Sequence, residues 1–120
     1  MEIAVIAHDG KKAEMIQFLM DFKAQILAKD IKFIATGTTG KKAEKAGFEV
    51  TKYLSGPYGG DAQIAARVAE GKTDMVLFFR DPLGMHPHEP DIAMLMRLCD
   101  VHDIPLATNP ATAELLIKSI

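Results

Sequence analysis

Short apolar segments alternate along this chain with longer stretches in which apolar residues recur every three or four positions. The run MVLFF at 75–79 is apolar throughout, which is typical of a central parallel strand covered on both faces. The segment FEVTKYL at 48–54 instead alternates apolar and polar residues and predicts a half-buried strand. Three further short runs complete a set of five predicted strands: IAVIA at 3–7, KFIA at 32–35 and IPLA at 104–107.

The stretches between the predicted strands have helical periodicity. Met15, Leu19, Phe22 and Ile26 form one apolar stripe at i, i+4, i+7 and i+11. Glycines mark two helix ends, because glycine readily adopts the left-handed conformation that follows a last helical turn. The other predicted helices are a short one at about 39–46 ended by Gly47, one at about 61–70 with Ile64 and Val68 ended by Gly71, one from Pro90 carrying Ile92, Leu95, Met96 and Cys99, and one from about Pro110 to the end.

This alternation of strands and helices predicts one three-layer α/β domain spanning residues 1–120, with a five-stranded, mainly parallel sheet. No low-complexity linker and no internal repeat interrupts the chain. The apolar side of the last helix, from Leu115 to Ile120, is expected either to dock on the sheet or to face a partner subunit.

Composition places the chain among ordinary soluble globular proteins. Fourteen Lys and Arg against sixteen Asp and Glu give a formal charge of −2, which excludes nucleic-acid binding through a broad basic face. The one cysteine, Cys99, excludes an internal disulfide and fits a reducing cytosol. The N-terminus has no signal-peptide pattern, and no apolar run reaches the roughly 18–20 residues of a membrane span. We therefore expect a cytoplasmic protein without membrane association.

The predicted strands lead into loops of small, polar or ionisable residues. His8 and Asp9 follow the first strand, and Arg80 and Asp81 follow the fourth. In open parallel sheets ligands bind outside the carboxyl ends of the strands, so these loops should converge on one site. Two of the loops are rich in glycine: TGTTG at 36–40 and SGPYGGD at 55–61.

The two glycine-rich loops have the composition of a phosphate-binding site. In TGTTG, threonine hydroxyls and backbone N–H groups lead into a helix N-terminus, where the helix dipole favours an anion. Ser55 and Gly56 repeat this small-residue pattern after another strand, and Lys12 is placed to add a positive charge. The alternatives are a plain strand-to-helix turn with a threonine N-cap, and a solvated surface lysine.

Asp61 lies at a predicted helix start behind a Gly-Gly pair. One interpretation is a capping or first-turn carboxylate that stabilises the helix dipole by about 0.5–1 kcal/mol. The other is a general base, because Gly59 and Gly60 let backbone and substrate approach closely and an aspartate beside a bound carbonyl compound can take an α-proton. The dipole would keep Asp61 ionised, so its strength as a base is expected to come from desolvation when substrate closes the site.

The segment RDPLGMHPHEPD at 80–91 holds the densest cluster of ionisable residues. We expect His88 to donate a hydrogen bond to a substrate oxygen and Asp91, three residues later, to orient its ring. His86 is expected to be an ordinary exposed loop histidine. A zinc site of His8, His86 and His88 is an alternative that no tight ligand pair supports. His8 itself is compatible with a helix cap or with a position in the pocket.

Five motifs, in order along essentially the whole chain, closely resemble the methylglyoxal synthase family: AHDGKK at 7–12, ATGTTG at 35–40, SGPYGGD at 55–61, FFRDPLGMHPHEPD at 78–91 and IPLATNPATAE at 104–114. The resemblance implies a parallel-sheet α/β fold, a homohexamer, and no cofactor or metal. It implies conversion of a phosphorylated small molecule, dihydroxyacetone phosphate, to methylglyoxal and inorganic phosphate. Many members also continue beyond the position of Ile120 with an extension that supplies an arginine near the phosphate.

The resemblance also implies roles for individual residues. Asp61 matches the catalytic base, and His88, with Asp91 beside it, matches the residue that contacts the substrate oxygens. Asp9 and Asp81 match further acidic positions near the site, and Gly60 is the supporting glycine before the base. The residues that match the substrate site are His8, Lys12, Thr36, Gly37, Thr38, Thr39, Ser55 and Gly56.

Other functions share the predicted phosphate-binding loops. The same fold occurs as an effector-binding regulatory domain of carbamoyl phosphate synthetase, which has no need of a base and a histidine. A phosphatase or a sugar-phosphate isomerase would use the same loops and differ in product. Because Asp61, His88 and Asp91 occur together in this chain, the sequence favours the lyase.

Overall fold

A five-stranded parallel sheet forms the centre of the computed structural model, which describes residues 1–120. Its order is β3-β2-β1-β4-β5, so the chain builds outward from β1 in one direction and resumes on the other side of β1 at β4. This confirms the predicted α/β class and places the topological switch between β1 and β4. The strands are β1 (Glu2–Ala7), β2 (Lys32–Ala35), β3 (Val50–Lys52), β4 (Met75–Phe79) and β5 (Leu106–Ala107).

Six α-helices cover the two faces of the sheet, which gives the three predicted layers. They are α1 (Lys12–Asp21), α2 (Lys23–Leu27), α3 (Gly37–Lys45), α4 (Gly60–Ala69), α5 (Glu89–Val101) and α6 (Pro110–Lys118), with 3₁₀ turns at Asp9–Lys11 and Gly56–Tyr58. Ile3 and Val5 of β1 pack with α1, α2, α3 and α6, whereas Ala4 and Ile6 pack with α4 and α5. Because successive side chains of a strand point to opposite faces, the central strand supplies both cores.

Three element boundaries differ from the prediction. The first predicted helix is interrupted at Phe22, between α1 and α2, and the periodicity could not show this because the apolar stripe continues through the break. β3 and β5 are shorter than the predicted runs at 48–54 and 104–107, since only Val50–Lys52 and Leu106–Ala107 pair with a neighbouring strand. Gly47 and Gly71 end α3 and α4 at φ +100° and +74°, as predicted.

The last helix docks on the sheet, which was one of the two expectations for it. Ile117 is fully buried, and Leu116 and Ile120 pack against the same core, while Leu115 faces outward and is 71% exposed. None of the six helices combines the length and apolar character that crossing a membrane requires.

A partly buried ion pair joins α4 to the first residue of β1. Arg67 donates from Nη2 to Glu2 Oε1 at 2.7 Å and from Nε to Glu2 Oε2 at 3.0 Å, and the Thr73 hydroxyl donates to the same Oε2 at 2.8 Å. Burial alone raises the pKa of Glu2, but the hydrogen bonds from Arg67 and Thr73 and the charge of Arg67 outweigh it, so the net pKa lies below 4.5.

Replacing Glu2 by alanine should lower the free energy of unfolding at pH 7 by about 2–4 kcal/mol, because the change leaves Arg67 and the buried Thr73 hydroxyl without their partner. The lowered pKa means that this stability is present above pH 4.5 and is lost as pH falls through the pKa of the folded state. The difference in free energy of unfolding between wild type and variant, measured by urea denaturation, should therefore become smaller in acid. Glu70→Ala, which breaks an exposed pair with Lys72, is the control and should lower the free energy of unfolding by under about 1 kcal/mol. Equal losses of stability in the two variants would contradict a special role for the Glu2–Arg67 pair.

Candidate active site

A cavity of about 400 Å³ opens at the carboxyl end of the sheet, beside the switch between β1 and β4. The last residues of these strands, Ala7 and Phe79, pair in register, so the loops that follow them leave the sheet side by side. Nine of the residues predicted for the site line the cavity: His8, Asp9, Lys12, Thr36, Thr38, Ser55, Gly56, Asp61 and His88. Gly37, Thr39, Gly60, Asp81 and Asp91, also predicted, lie behind or beside the wall and do not line it.

The two glycine-rich loops meet on one side of the cavity. A Cβ on Gly37 would lie 3.2 Å from both Ser55 Oγ and the Tyr53 carbonyl oxygen, so glycine at this position allows the two loops to approach. Thr36 occupies the N-cap position of α3, but its side chain makes no capping hydrogen bond. Thr36 therefore does not cap the helix through its hydroxyl. The Gly37 N–H donates to the Leu54 carbonyl at 3.2 Å, which leaves the threonine hydroxyls and the remaining first-turn N–H groups of α3 on this side of the cavity.

Lys12 is not a solvated surface lysine. Its side chain is only 14% exposed, and Nζ donates to the Ala7 carbonyl at 3.0 Å and to Asp9 Oδ1 at 2.6 Å. The hydrogen bond and the charge of Lys12 hold the pKa of Asp9 below its ordinary value. These contacts fix an ammonium group on the wall of the cavity next to the threonine loop.

Asp61 lies in the first turn of α4 but does not cap the helix. The N-cap residue is Gly59, and neither carboxylate oxygen of Asp61 accepts a hydrogen bond although the residue is fully buried. Burial raises the pKa of Asp61 and the negative charge of Asp91 raises it further, against the lowering effects of His88 and Lys12. We expected Asp61 to lose its contact with water only when substrate binds. This expectation is wrong, because the protein itself already excludes water from the carboxylate.

The ring of His88 faces Asp61 rather than Asp91. Its Nε2 lies 3.2 Å from Asp61 Oδ2 without the alignment of a hydrogen bond, and its Nδ1 is buried without a partner. Asp91 contacts His88 through the backbone, where the Asp91 N–H donates to the His88 carbonyl at 3.0 Å. The prediction that Asp91 orients the imidazole is therefore wrong: the first turn of α5 directs its carboxylate elsewhere, and its charge acts on Asp61.

His8 lies in the cavity; it occupies the N-cap position of the 3₁₀ turn Asp9–Lys11, but its side chain makes no capping hydrogen bond. Its Nδ1 accepts a hydrogen bond from the Asp81 N–H at 2.8 Å, which places the ring proton on Nε2. Burial, followed by the charges of His86 and His88, lowers the pKa of His8 to about 4. His8 is therefore a neutral hydrogen-bond donor at physiological pH, and its Nε2 has no acceptor among the protein atoms.

His86, predicted to be an exposed loop residue, is part of the cavity wall. Its ring stacks on His8 with 3.6 Å between centroids and 16° between planes, and its Nε2 is buried. The prediction is wrong because the loop does not project into solvent: one turn at Pro82–Leu83 and another at Pro87–His88 fold it inward. Two prolines and a glycine within six residues were the available signal. Although three histidines meet here, no group of three His, Cys, Asp or Glu residues has an arrangement that could hold a metal ion.

Gly60 serves packing rather than the approach of substrate. A Cβ at this position would lie 1.8 Å from the carbonyl oxygen of Leu54, an overlap that no side-chain movement can relieve. The close contact seats the start of α4 against the loop after β3 and so fixes Asp61 relative to Ser55 and Gly56.

Replacing Gly60 by alanine should lower the free energy of unfolding by about 3 kcal/mol or more, because the backbone of α4 must move to relieve the overlap. Thermal denaturation of the variant measures the loss. Gly10→Ala is the matched control, since its nearest neighbour would be at an ordinary 3.5 Å, and it should change stability by under about 1 kcal/mol. A Gly60→Ala protein as stable as wild type would show that α4 is not seated by this contact.

Known proteins match this chain in sequence over most or all of its length. The sequence model of the MGS-like domain family matches residues 15–108. A methylglyoxal synthase of Clostridium beijerinckii (strain ATCC 51743 / NCIMB 8052) is 56% identical over 119 residues, which cover 98% of each chain. The chain belongs to the methylglyoxal synthase family. A second relative, the methylglyoxal synthase of Caldicellulosiruptor saccharolyticus, is 57% identical over 121 residues, covering 100% of this chain and 84% of its own length.

The fold agrees with that of a solved member of the family. A crystal structure of methylglyoxal synthase from Elizabethkingia anophelis NUHP1 superposes with a TM-score of 0.88 at 38% identity, over 97% of this chain and 76% of that one. The matched range 15–108 begins after His8 and Lys12, whereas the alignments with the methylglyoxal synthases extend over nearly the whole chain. The family relationship therefore extends to the segment that carries this part of the cavity.

Proposed function

We propose that this protein is a carbon–oxygen lyase that converts dihydroxyacetone phosphate to methylglyoxal and inorganic phosphate. The observation that carries the proposal is Asp61, a fully buried carboxylate without a hydrogen-bond partner, which contacts His88 at 3.2 Å in a cavity whose other side is the threonine and serine loops. Membership of the methylglyoxal synthase family supports the same reaction.

The loops and Lys12 bind the phosphate of the substrate. Thr36, Thr38, Ser55 and Gly56 supply hydroxyl and backbone donors, and the first turn of α3 adds the positive end of a helix dipole. Lys12 supplies a full positive charge as a compact donor. Gly37 and Thr39 support the phosphate loops without lining the cavity. Gly37 lets the two loops approach each other, and Thr39 is fully buried in the first turn of α3.

Asp61 removes a proton from the hydroxymethyl carbon next to the substrate carbonyl. A raised pKa makes a carboxylate a stronger base, and burial supplies the rise without waiting for the site to close. Asp91 strengthens the base further through its negative charge. Asp9 and Asp81 are supporting residues, because Asp9 holds Lys12 and the Asp81 N–H fixes the tautomer of His8.

His88 and His8 stabilise the negative charge that develops on the substrate oxygens. His88 Nε2, next to the base, donates to the ene-diolate and moves a proton between its oxygens, while the free Nε2–H of neutral His8 is a second donor. Donors already fixed at the position of developing charge need no reorganisation during the reaction.

Phosphate leaves from the carbon that bears the bridging oxygen. This step is fast only when the C–O bond stands out of the plane of the ene-diolate and overlaps its π system. The phosphate loops therefore bind the dianion and also hold that torsion. An isomerase would hold the same bond in the plane and so prevent loss of phosphate.

The experiment is to incubate the purified protein with dihydroxyacetone phosphate, without added metal, and to follow methylglyoxal and phosphate together. Equal formation of the two is the expected result. Phosphate with dihydroxyacetone would indicate a phosphatase, and glyceraldehyde 3-phosphate an isomerase. Binding without turnover would favour the effector-binding alternative.

We further propose a homohexamer that works in the cytoplasm, as the family resemblance implies. Leu83 and Met85, 95% and 97% exposed on the loop before α5, are apolar side chains of the kind that a subunit contact covers. Light scattering coupled to size-exclusion chromatography would give the mass in solution, and a monomer at micromolar concentration would overturn the hexamer.

A further inference from the structure

The stacked pair of His8 and His86 is the feature of the cavity that the proposed reaction leaves unexplained. The two rings overlap at 3.6 Å between centroids and 16° between planes, and each has a buried Nε2 without a protein partner. The rings of Phe78 and His8 meet in a T-shaped arrangement, with 5.2 Å between centroids and 73° between planes. Two contacts therefore hold the His8 ring: the Asp81 N–H donates to Nδ1 at the edge of the ring, and His86 stacks on its face.

The loop is shaped to bring His86 to this place. A methyl group on Gly84 would come within 2.8 Å of Asp81 Oδ2 and 3.0 Å of His86 Nε2, so the ring lies directly against the backbone at Gly84. Asp81 Oδ1 accepts from the Leu83 N–H at 3.1 Å and so holds the turn. His86 is therefore fixed from both sides, by the turn at Gly84 and by the ring of His8.

We propose that His86 is a positioning residue for His8: its ring covers one face of the imidazole and holds the Nε2–H donor in place for the substrate. This inference rests on the proposed function of His8 as a substrate donor. The contact requires a flat ring at position 86 and does not require a nitrogen. Five charged or titratable groups act on His8 from the neighbouring elements: Asp9 in the turn after β1, Arg80 after β4, His86 and His88 in the loop before α5, and Glu89 at the start of α5.

The test compares His86→Phe, which keeps a flat ring, with His86→Ala, which removes it. The chain has only four histidines, so ¹⁵N-histidine labelling resolves each ring, and His8→Gln assigns the His8 signals. In wild type and His86→Phe we expect a single His8 tautomer at pH 6.5 with the proton on Nε2. In His86→Ala we expect His8 to become partly protonated or to exchange between tautomers, because water reaches the uncovered face.

If the inference is correct, activity should be impaired in the variant whose His8 tautomer changes and should be kept in the variant whose His8 tautomer is unchanged. His86→Ala should lower kcat/KM for dihydroxyacetone phosphate about three- to tenfold, the size of a lost stacked aromatic contact, and His86→Phe should remain within about twofold of wild type. His102→Ala, at the far end of α5, is the control and should change neither quantity. Should His86→Ala fail to fold, His86→Leu removes the flat ring but keeps apolar bulk at the same place, and should give the same His8 spectrum.

Two outcomes would overturn the inference. One is an unchanged His8 tautomer with unchanged kcat/KM in His86→Ala, and the other is a His86→Phe protein as impaired as His86→Ala, which would mean that the imidazole nitrogen acts directly. The tautomer measurement needs no substrate. If no protein turns over dihydroxyacetone phosphate while the His8 spectra behave as expected, the proposed function fails and the positioning of His8 stands.

Discussion

Replacing Asp61 by asparagine is expected to reduce kcat by about 10³- to 10⁴-fold while inorganic phosphate still binds with nearly unchanged affinity. Asparagine keeps the shape of the side chain but cannot accept a proton, and loss of a general base costs about this much. Steady-state kinetics with dihydroxyacetone phosphate and calorimetry with phosphate measure the two quantities. Asp30→Asn, at an exposed position just before β2 and so at the amino ends of the strands, is the control and should leave kcat unchanged. Full activity in Asp61→Asn would remove this residue from the mechanism.

The same substitution should not weaken the fold. Because the pKa of Asp61 is raised in the folded state, its contribution to stability is present below the ordinary aspartate value of 3.8 and is lost as pH rises through the folded-state pKa. Asp61→Asn removes an uncompensated buried charge, so its free energy of unfolding at pH 7 should equal that of wild type or exceed it by up to about 1–2 kcal/mol. An inactive variant with a lower melting temperature would instead point to a structural role for the carboxylate.

His88→Gln is expected to lower kcat by about 10²- to 10³-fold with a change in KM of no more than about threefold. Glutamine retains one donor but cannot pass a proton between two substrate oxygens, so the loss should fall on the transition state rather than on the bound substrate. The comparison of kcat with KM over a series of substrate concentrations decides the point.

His102→Gln is the matched control for this prediction, since His88 immediately precedes α5 and His102 immediately follows it, on the exposed surface. It should have wild-type kinetics. If His88→Gln raises only KM, His88 is a simple substrate contact, and the proton transfer must be assigned to Asp61 alone.

The sheet and the location of the site could be predicted from sequence because both depend on short-range patterns. Apolar runs such as 75–79 need burial on both faces, and the loops after parallel strands share one edge of the sheet. Asp61 and the threonine loop were therefore predicted in the right region from their neighbours in the chain alone.

The orientation of individual side chains could not be predicted in the same way. His86 reaches the cavity only because two turns reverse the chain between Asp81 and Glu89. Asp91 is three residues from His88, but at the boundary between a turn and a helix this spacing does not determine which side chains meet. The contact between Gly60 and Leu54 joins two elements across the loop after β3, and no local pattern in the sequence marks it.

The ion pair between Glu2 and Arg67 has a mechanical consequence for the active site. β1 carries Glu2 at one end and leads into His8 at the other, while α4 carries Asp61 at its start and Arg67 near its end. A helix can slide along a sheet only in steps that re-seat its side chains, about 5.4 Å for a full turn. The Glu2–Arg67 pair opposes such a shift of α4 along β1. The distance between Asp61 and His8 is therefore set by the register of α4 on β1, and this register is held at the end of the two elements that lies far from the active site.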